Sequence, residues 1–292
     1  MKALHTSGIN LLPLCRLFGV SPQSYYQRKD TYYAREEFKG LLLDYATTLR
    51  RDMPRLGCHK LYEKSKEFFS EDMPMGRDAY INLLRDSQFM LRIKKRRRAR
   101  TTDSDHPYKK YPDLINSTGF VATRACQLWV SDITYIPLSV SEKRFCYLSL
   151  ITDAYSRKIV GWKLADSLQY KHTEDALRTA LKEAKQSGFE LSGMIHHSDR
   201  GVQYAYPDYI ELLKSYSCRI SMTQSGDPRD NAIAERVNGI LKVEWLNAYN
   251  FTSINEVKKV MTKIIDIFNN KRPHMSIGMK VPSQMHQPTK GE

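Results

Sequence analysis

Three carboxylates lie at positions where their side chains could do chemistry together. Asp132 lies inside an apolar run, Asp199 directly follows a second one, and Glu235 lies near the start of a helical segment. The two intervals between them contain 66 and 35 residues. Carboxylates from a strand, a strand end and a helix could converge to hold Mg²⁺ or Mn²⁺, which prefer hard oxygen ligands. Two such ions about 3.5–4 Å apart can clamp the attacking and leaving oxygens of a phosphoryl transfer.

Each of these carboxylates also has a structural interpretation when it is considered alone. Asp132 could be a turn or edge residue, Asp199 could belong to an ordinary turn, and Glu235 could be a solvated helix side chain. An unpaired charge within an apolar strand is costly to desolvate, and the joint pattern favours the catalytic interpretation. Asp153, in contrast, is predicted to end the second strand and start a turn with Ser156 and Arg157.

Short apolar runs rich in β-branched and aromatic residues predict five strands after about residue 124. They are Leu128–Ile136, Phe145–Thr152, Ile159–Leu164, Met194–His197 and Arg219–Met222. Three successive strands favour antiparallel pairing, whereas the later alternation with helices favours parallel crossovers. The fold class is therefore α/β, with a mixed five-stranded sheet flanked by helices. Adjacent strand residues face opposite ways, so at most one of His196 and His197 is expected to face the carboxylates or a bound substrate.

Helical periodicity dominates the first 90 residues and recurs between and after the strands. Residues 9–29 predict two short helices around Gly19, a helix-turn-helix-like pattern, and three further helices are predicted over 34–50, 58–69 and 77–88. Later, Thr173 is predicted to cap one helix, and Glu235 to lie on another that starts at Asp230. A Ser253–Glu256 capping box predicts the start of the last helix.

The charge of the chain points to a polyanionic partner. The formal net charge is +14, and Arg92–Arg100 contains seven cations in nine positions. Such a run repels itself unless it meets a polyanion, so Arg96, Arg97 and Arg98 are predicted to contact DNA; a solvated linker or a localisation tag is the alternative. The five scattered cysteines favour a reducing cytoplasm over a disulfide framework, and no apolar stretch is long enough to span a membrane.

These patterns divide the chain into five regions. They are a helix-turn-helix-like fragment (1–30), an all-helical DNA-binding domain with the basic run (31–100), a linker (101–123), a catalytic core (124–270) and a C-terminal tail (271–292).

Several motifs in order resemble the catalytic core of bacterial insertion-sequence transposases of the copy-out, paste-in family, which is similar to retroviral integrase. The motifs are Trp129-Val-Ser-Asp-Ile-Thr-Tyr135, Leu150-Ile-Thr-Asp-Ala-Tyr-Ser-Arg-Lys-Ile-Val-Gly161, His197-Ser-Asp-Arg-Gly-Val-Gln-Tyr204 and Asp230-Asn-Ala-Ile-Ala-Glu235. The family signature is Asp, Asp, 35 residues and Glu, with a basic residue seven positions later, here Lys242. The resemblance covers roughly residues 35–285.

The resemblance implies an RNase H-like fold and a DDE transposase. Asp132, Asp199 and Glu235 would be the catalytic, metal-binding triad for Mg²⁺, with Mn²⁺ as a substitute. The activity would be binding of insertion-element ends, metal-dependent DNA cleavage and 3′-OH strand transfer into double-stranded target DNA. An RNase H-like DNA nuclease and a catalytically silent DNA-binding regulator remain the alternatives.

The resemblance also implies partners and further contacts. A homo-oligomer on DNA is expected, as is fusion to, or pairing with, the product of an upstream reading frame, in the bacterial cytoplasm at the nucleoid. At 100° per residue, Asn231, Glu235, Asn238 and Lys242 fall on one helix face, so Asn238 and Lys242 are predicted to contact DNA.

Overall fold

The structure is a computed structural model of the chain. It describes residue 8 and residues 10–70, 73–91, 106–139, 144–224 and 228–288. The chain forms two compact units, one of Met1–Asp52 with Leu56–Arg92 and one of Met53–Arg55 with Ile93–Glu292. Among the helices within those ranges, none combines the length and the apolar character that a bilayer crossing requires.

The first unit is helical. Its described helices are α1 (Leu11–Leu17), α2 (Pro22–Asp52), α3 (Cys58–Phe69) and α4 (Arg77–Asp86). The two separate helices predicted on either side of residue 30 are wrong, because α2 runs through that point without a break. No Gly or Pro lies between Pro22 and Gly40, so nothing in the local sequence ends the helix there.

The second unit is built on a mixed five-stranded sheet. Its strands are β1 (Leu128–Ser139), β2 (Arg144–Asp153), β3 (Ile159–Ala165), β4 (Ile195–Ser198) and β5 (Arg219–Met222), in the order β3-β2-β1-β4-β5. The first three pair antiparallel, while β4 pairs parallel to β1 and to β5. This is the RNase H-like arrangement, and the predicted sheet is confirmed.

Helices cover this sheet. They are α5 (Tyr170–Gln186), α6 (Val202–Ala205), α7 (Pro207–Ser215), α8 (Ala232–Glu244), α9 (Ile254–Asn270) and α10 (Pro282–Met285). The Ser253 cap is confirmed, since its side chain accepts from the Glu256 N–H at 3.3 Å. The Thr173 cap is wrong: α5 begins three residues earlier, and Thr173 is buried within it. The helix predicted to start at Asp230 also begins later, at Ala232, because a 3₁₀ turn over Pro228–Asn231 precedes it.

The predicted linker and tail both pack onto the second unit over much of their length. Asp113 is 4% exposed, and its carboxylate accepts from the N–H groups of Ile115 and Asn116 at 2.8 and 2.9 Å. Near the other end, Arg272 is 1% exposed and donates from Nε to Glu244 at 2.7 Å. From residue 106 onward, several apolar and aromatic side chains of the predicted linker pack against the core.

Candidate active site

Asp132 lies on the middle strand, where the sheet brings several elements together. Its Oδ2 accepts a hydrogen bond from the side-chain amide of Asn238 on α8 at 2.7 Å. Its Oδ1 accepts from the N–H of Ile133 at 2.9 Å. Because α8 packs against β1, one helix side chain fixes the orientation of this carboxylate.

Asp199 directly follows β4, the parallel neighbour of β1. Val130 is paired with His197, so Asp132 and Asp199 each lie two residues farther along neighbouring parallel strands. The Asp199 carboxylate accepts from the N–H of Gly201 at 3.0 Å. A Cβ on Gly201 would lie only 3.0 Å from Asp199 Oδ1, so the tight turn favours glycine. The ends of parallel strands thus bring two acidic residues to one edge of the sheet.

The site is strongly acidic. Burial raises the pKa of Asp132 to about 7, and the nearby charges of Asp199 and Glu235 raise it as well, against the hydrogen bonds from Asn238 and the Ile133 N–H. The other two predicted carboxylates therefore both lie within electrostatic range of Asp132. Such a group takes up either a proton or a cation, because like charges at close range oppose full ionisation.

Lys242 also interacts electrostatically with this site. Burial lowers the pKa of its ammonium group, and the charge of Asp132 partly offsets that effect. Asn238, predicted as a DNA contact, is 6% exposed and donates its side-chain hydrogen bond to Asp132. The face of α8 that carries Asn238 and Lys242 therefore lies toward the acidic residues, not open solvent, over part of its length. The predicted contacts Arg96, Arg97 and Arg98 lie outside the described residues.

The carboxylate and amide oxygens of this site are the kind of atoms that bind a hard divalent cation. Within the described residues, no three His, Cys, Asp or Glu side chains are arranged to hold a metal ion. The side-chain oxygens of Asn231 and Asn238 are buried and find no hydrogen-bond donor there. Carboxylates beside unpaired acceptor oxygens suit a cation that carries water ligands, since those waters donate hydrogen bonds.

Residues outside the predicted set hold the start of α8 in place. The Asn231 amide donates to the Ser131 carbonyl at 2.9 Å. The Asp230 carbonyl is hydrogen-bonded by His197 Nε2 at 3.1 Å and by the Asn116 amide at 3.2 Å. These contacts determine where Glu235 lies relative to β1. In the sequence, Asn231 could be recognised because it falls on the same helix face as Glu235. No local sequence pattern singles out Asn116.

The two histidines of β4 are buried and hydrogen-bonded within the core. His196 is hydrogen-bonded to Ser131 at 2.8 Å and to Tyr209 at 3.0 Å, and burial lowers its pKa to about 3. His197 Nδ1 is hydrogen-bonded to Ser221 at 2.8 Å. Both rings are thus hydrogen-bonded to groups other than the three carboxylates.

The mixed sheet of order β3-β2-β1-β4-β5 carries acidic residues on its middle strand, at a neighbouring strand end and on an adjacent helix. This combination is typical of an RNase H-like core. Models of the integrase core domain match residues 122–228 and 216–282. The uncharacterized 31 kDa protein of insertion element IS600 from Shigella sonnei is 31% identical over 94% of this chain and 97% of its own length. The transposase of IS629 from the same organism is 28% identical over 93% of this chain and 90% of its own length.

Among solved structures, the HTLV-2 integrase catalytic core domain in complex with magnesium is similar, with 18% identity and a TM-score of 0.43. The similarity covers 56% of this chain and 99% of that one. The chain belongs to the family of bacterial insertion-sequence transposases with an integrase-like core.

Proposed function

We propose that the chain binds the ends of an insertion element and joins their 3′-hydroxyl groups to target DNA in a Mg²⁺-dependent reaction. The observation that carries this proposal is the electrostatic coupling of Asp132, Asp199 and Glu235. Together with burial, the two neighbouring charges raise the pKa of Asp132 to about 7. Asp132 accepts only one side-chain and one backbone hydrogen bond, which do not offset this rise.

Strand transfer exchanges one phosphodiester bond for another. The oxygen of the terminal 3′-hydroxyl attacks a target phosphorus and loses its proton, while the bond from that phosphorus to the target 3′ oxygen breaks and this oxygen gains a proton. Asp132, Asp199 and Glu235 would hold Mg²⁺, or Mn²⁺ in its place, which when bound neutralises charge on the attacking and leaving oxygens.

The chain's own residues would orient the reactants. Asn238 holds Asp132 in one orientation through its 2.7 Å hydrogen bond. Lys242, half-buried and in the field of Asp132, would contact a DNA phosphate close to the reacting bond. Asn231 ties the start of α8 to β1 and so limits the movement of Glu235.

Binding of double-stranded DNA would rest on the positive charge of the chain. The net charge of +14 attracts the duplex backbone, and Arg96, Arg97 and Arg98 would supply phosphate contacts. Because two element ends and a target must be held together, we expect a homo-oligomer on DNA. Fusion to, or pairing with, an upstream-frame product would add a further end-binding element, and the complex would act at the nucleoid in the cytoplasm.

A joining assay tests the proposal. The full chain is mixed with a labelled duplex that carries the DNA flanking its coding sequence, together with supercoiled plasmid and either Mg²⁺, Mn²⁺ or EDTA. We expect labelled plasmid in both metals and none in EDTA. A duplex ending in a 3′-dideoxynucleotide is the matched control and should give no joined product.

Other outcomes would favour the alternative functions. Nicking or cutting of the plasmid without joining would indicate a nuclease. DNA binding with neither cutting nor joining in any metal would indicate a regulator. Either result would contradict strand transfer.

A further inference from the structure

Tyr204 is a buried tyrosine beside the acidic residues that no step above uses. It lies in α6, five residues after Asp199, and is 2% exposed. Its ring packs edge-on against the ring of Tyr209, with centroids 5.7 Å apart. The two tyrosines thus share one part of the core.

The hydroxyl of Tyr204 finds no hydrogen-bond partner among the described residues. The hydroxyl of Tyr209, in contrast, is hydrogen-bonded to His196 at 3.0 Å. A buried hydroxyl without a partner destabilises a fold, and a phenylalanine would fill the same space without that penalty. Packing alone therefore does not account for a tyrosine at position 204.

The surroundings indicate which kind of partner the hydroxyl would meet. Burial raises the pKa of Tyr204 well above its ordinary value, and the charges of Asp199 and Asp132 raise it further, so the group remains a donor. A Cβ on Gly201 would lie 3.0 Å from Asp199 Oδ1 and 3.6 Å from Tyr204 Cδ2, so the carboxylate and the ring flank the same small space. The charges that act on the hydroxyl are those of carboxylates, which accept hydrogen bonds.

We propose that Tyr204 is a positioning residue whose hydroxyl donates a hydrogen bond to the Asp199 carboxylate when the acidic residues hold a divalent cation. The inference rests on the proposed function, because it presupposes cation binding at these residues. Carboxylates that bind metals are commonly held by a second hydrogen bond, which keeps them ionised and oriented. The unpaired hydroxyl would then be satisfied only in the loaded site.

Binding of Mn²⁺ to the full chain without DNA tests this role, with free Mn²⁺ followed by electron paramagnetic resonance. Tyr204→Phe should bind Mn²⁺ about 10-fold or more weakly than wild type, in keeping with losses of outer ligand partners. Its melting temperature should equal or exceed that of wild type, because an unpaired hydroxyl has been removed.

Tyr209→Phe is the matched control, since it removes the same atom from a neighbouring ring. It should lower the melting temperature, because the hydrogen bond to His196 is lost, and leave Mn²⁺ affinity unchanged. The two variants should therefore show opposite patterns in the two measurements.

Three outcomes would overturn the inference. The first is a Mn²⁺ affinity of Tyr204→Phe equal to that of wild type. The second is a loss of Mn²⁺ affinity that occurs only when DNA is present, which would show that the hydroxyl bonds to DNA. A melting temperature that falls as far as in Tyr209→Phe would assign Tyr204 to packing. If Asp199→Asn binds Mn²⁺ as tightly as wild type, the proposed cation site itself fails, and this result is distinct from the other three.

Discussion

The carboxyl group of Asp132 gains its properties from a few immediate neighbours. Its position on a central strand removes water, and one amide and one backbone N–H only partly offset the resulting rise in its pKa. A group with a pKa of about 7 is not stably ionised near neutral pH unless a cation arrives. Burial and the charges of Asp199 and Glu235 thus weaken its ionisation, whereas a cation bound beside these carboxylates would favour the charged form.

Lys242 provides a test of phosphate positioning. Lys242→Ala should lower end-specific cleavage and joining together, by about 10–100-fold, since one charge-assisted phosphate contact is lost. Mn²⁺ affinity should stay unchanged, and Lys242→Arg should restore part of the activity because it keeps the charge. The joining assay and Mn²⁺ binding measure the two effects.

Arg236→Ala is the control for this prediction, because Arg236 is an exposed cation on another side of α8. It should leave joining near wild type. Loss of Mn²⁺ binding in Lys242→Ala would contradict the positioning role, and so would normal activity of that variant on specific ends.

Asp153 shows the structural use of a carboxylate in the same sheet. Ser156 donates to its Oδ1 from both N–H and hydroxyl at 2.7 Å, and the Cys126 N–H donates to Oδ2 at 2.7 Å, which confirms the predicted turn. Burial alone would raise the pKa of Asp153, but these bonds and His286 bring it below its ordinary value.

The lowered pKa of Asp153 gives an acid-dependent contribution to stability. Its stabilisation is present above the unfolded-state pKa of about 4 and is lost as pH falls through the lower folded-state value. Asp153→Asn should cost about 2–4 kcal/mol at pH 7 and flatten the loss of stability below about pH 4. Urea unfolding at several pH values measures both; an equally steep acid loss in the variant would refute the assignment.

Among the secondary-structure elements, α5 makes an unusually close approach to the sheet. A Cβ on Gly161 in β3 would lie 2.7 Å from the Ala176 carbonyl oxygen and 2.8 Å from Ala180 Cβ. Gly161→Ala should therefore push α5 away and destabilise the second unit by about 1–3 kcal/mol.

Thermal unfolding of Gly161→Ala checks this prediction. Gly239→Ala on α8 is the control, because a Cβ there meets no atom within 4 Å and alanine favours a helix. A melting temperature of Gly161→Ala at or above wild type would show that the close approach is not restrictive.

Most of the strands could be predicted because each carries a short apolar run rich in β-branched and aromatic residues, which favours a buried strand over a helix. The error at α2 had the opposite cause: exposed polar residues and tyrosines, such as Tyr32 and Tyr33, show no apolar period that would reveal a continuous helix. The helix start at Tyr170 was missed because Thr173 is a good capping residue by type but is buried in α5. Tertiary packing overrode the local signal.

The acidic site was only partly accessible to sequence reasoning. Spacing and motif order marked Asp132, Asp199 and Glu235, whose positions on strand, strand end and helix the structure reproduces. The hydrogen bond from Asn238 and the tie from Asn116 to Asp230 join residues more than 100 positions apart. Such contacts depend on strand order and helix placement, which no local pattern encodes.

Over the whole molecule, a large positive charge is expected to drive association with DNA. Replacement of Arg96, Arg97 and Arg98 by Ala should weaken binding at all sequences. The slope of log affinity against log salt should fall by up to about three, because each phosphate contact releases roughly 0.9 counterion. Fluorescence anisotropy over a salt series gives this slope.

A second triple variant separates local contact from net charge. Lys258, Lys259 and Lys263 are exposed on α9, and their replacement by Ala removes the same charge. It should change the slope less than the arginine variant does. Equal changes would show that the basic run acts only through net charge, and an unchanged slope in the arginine variant would show that the run does not contact phosphate.

The joining assay on carboxylate variants tests the central claim most directly. Asp132→Asn, Asp199→Asn and Glu235→Gln should each lower 3′-end joining in Mg²⁺ by at least about 100-fold while DNA binding is kept, because each removes a charge that would hold a cation. Asp175→Asn, which alters an exposed carboxylate paired with Lys163, should join normally. Near-wild-type joining by any one of the first three variants would contradict the assignment of the three carboxylates as the catalytic site.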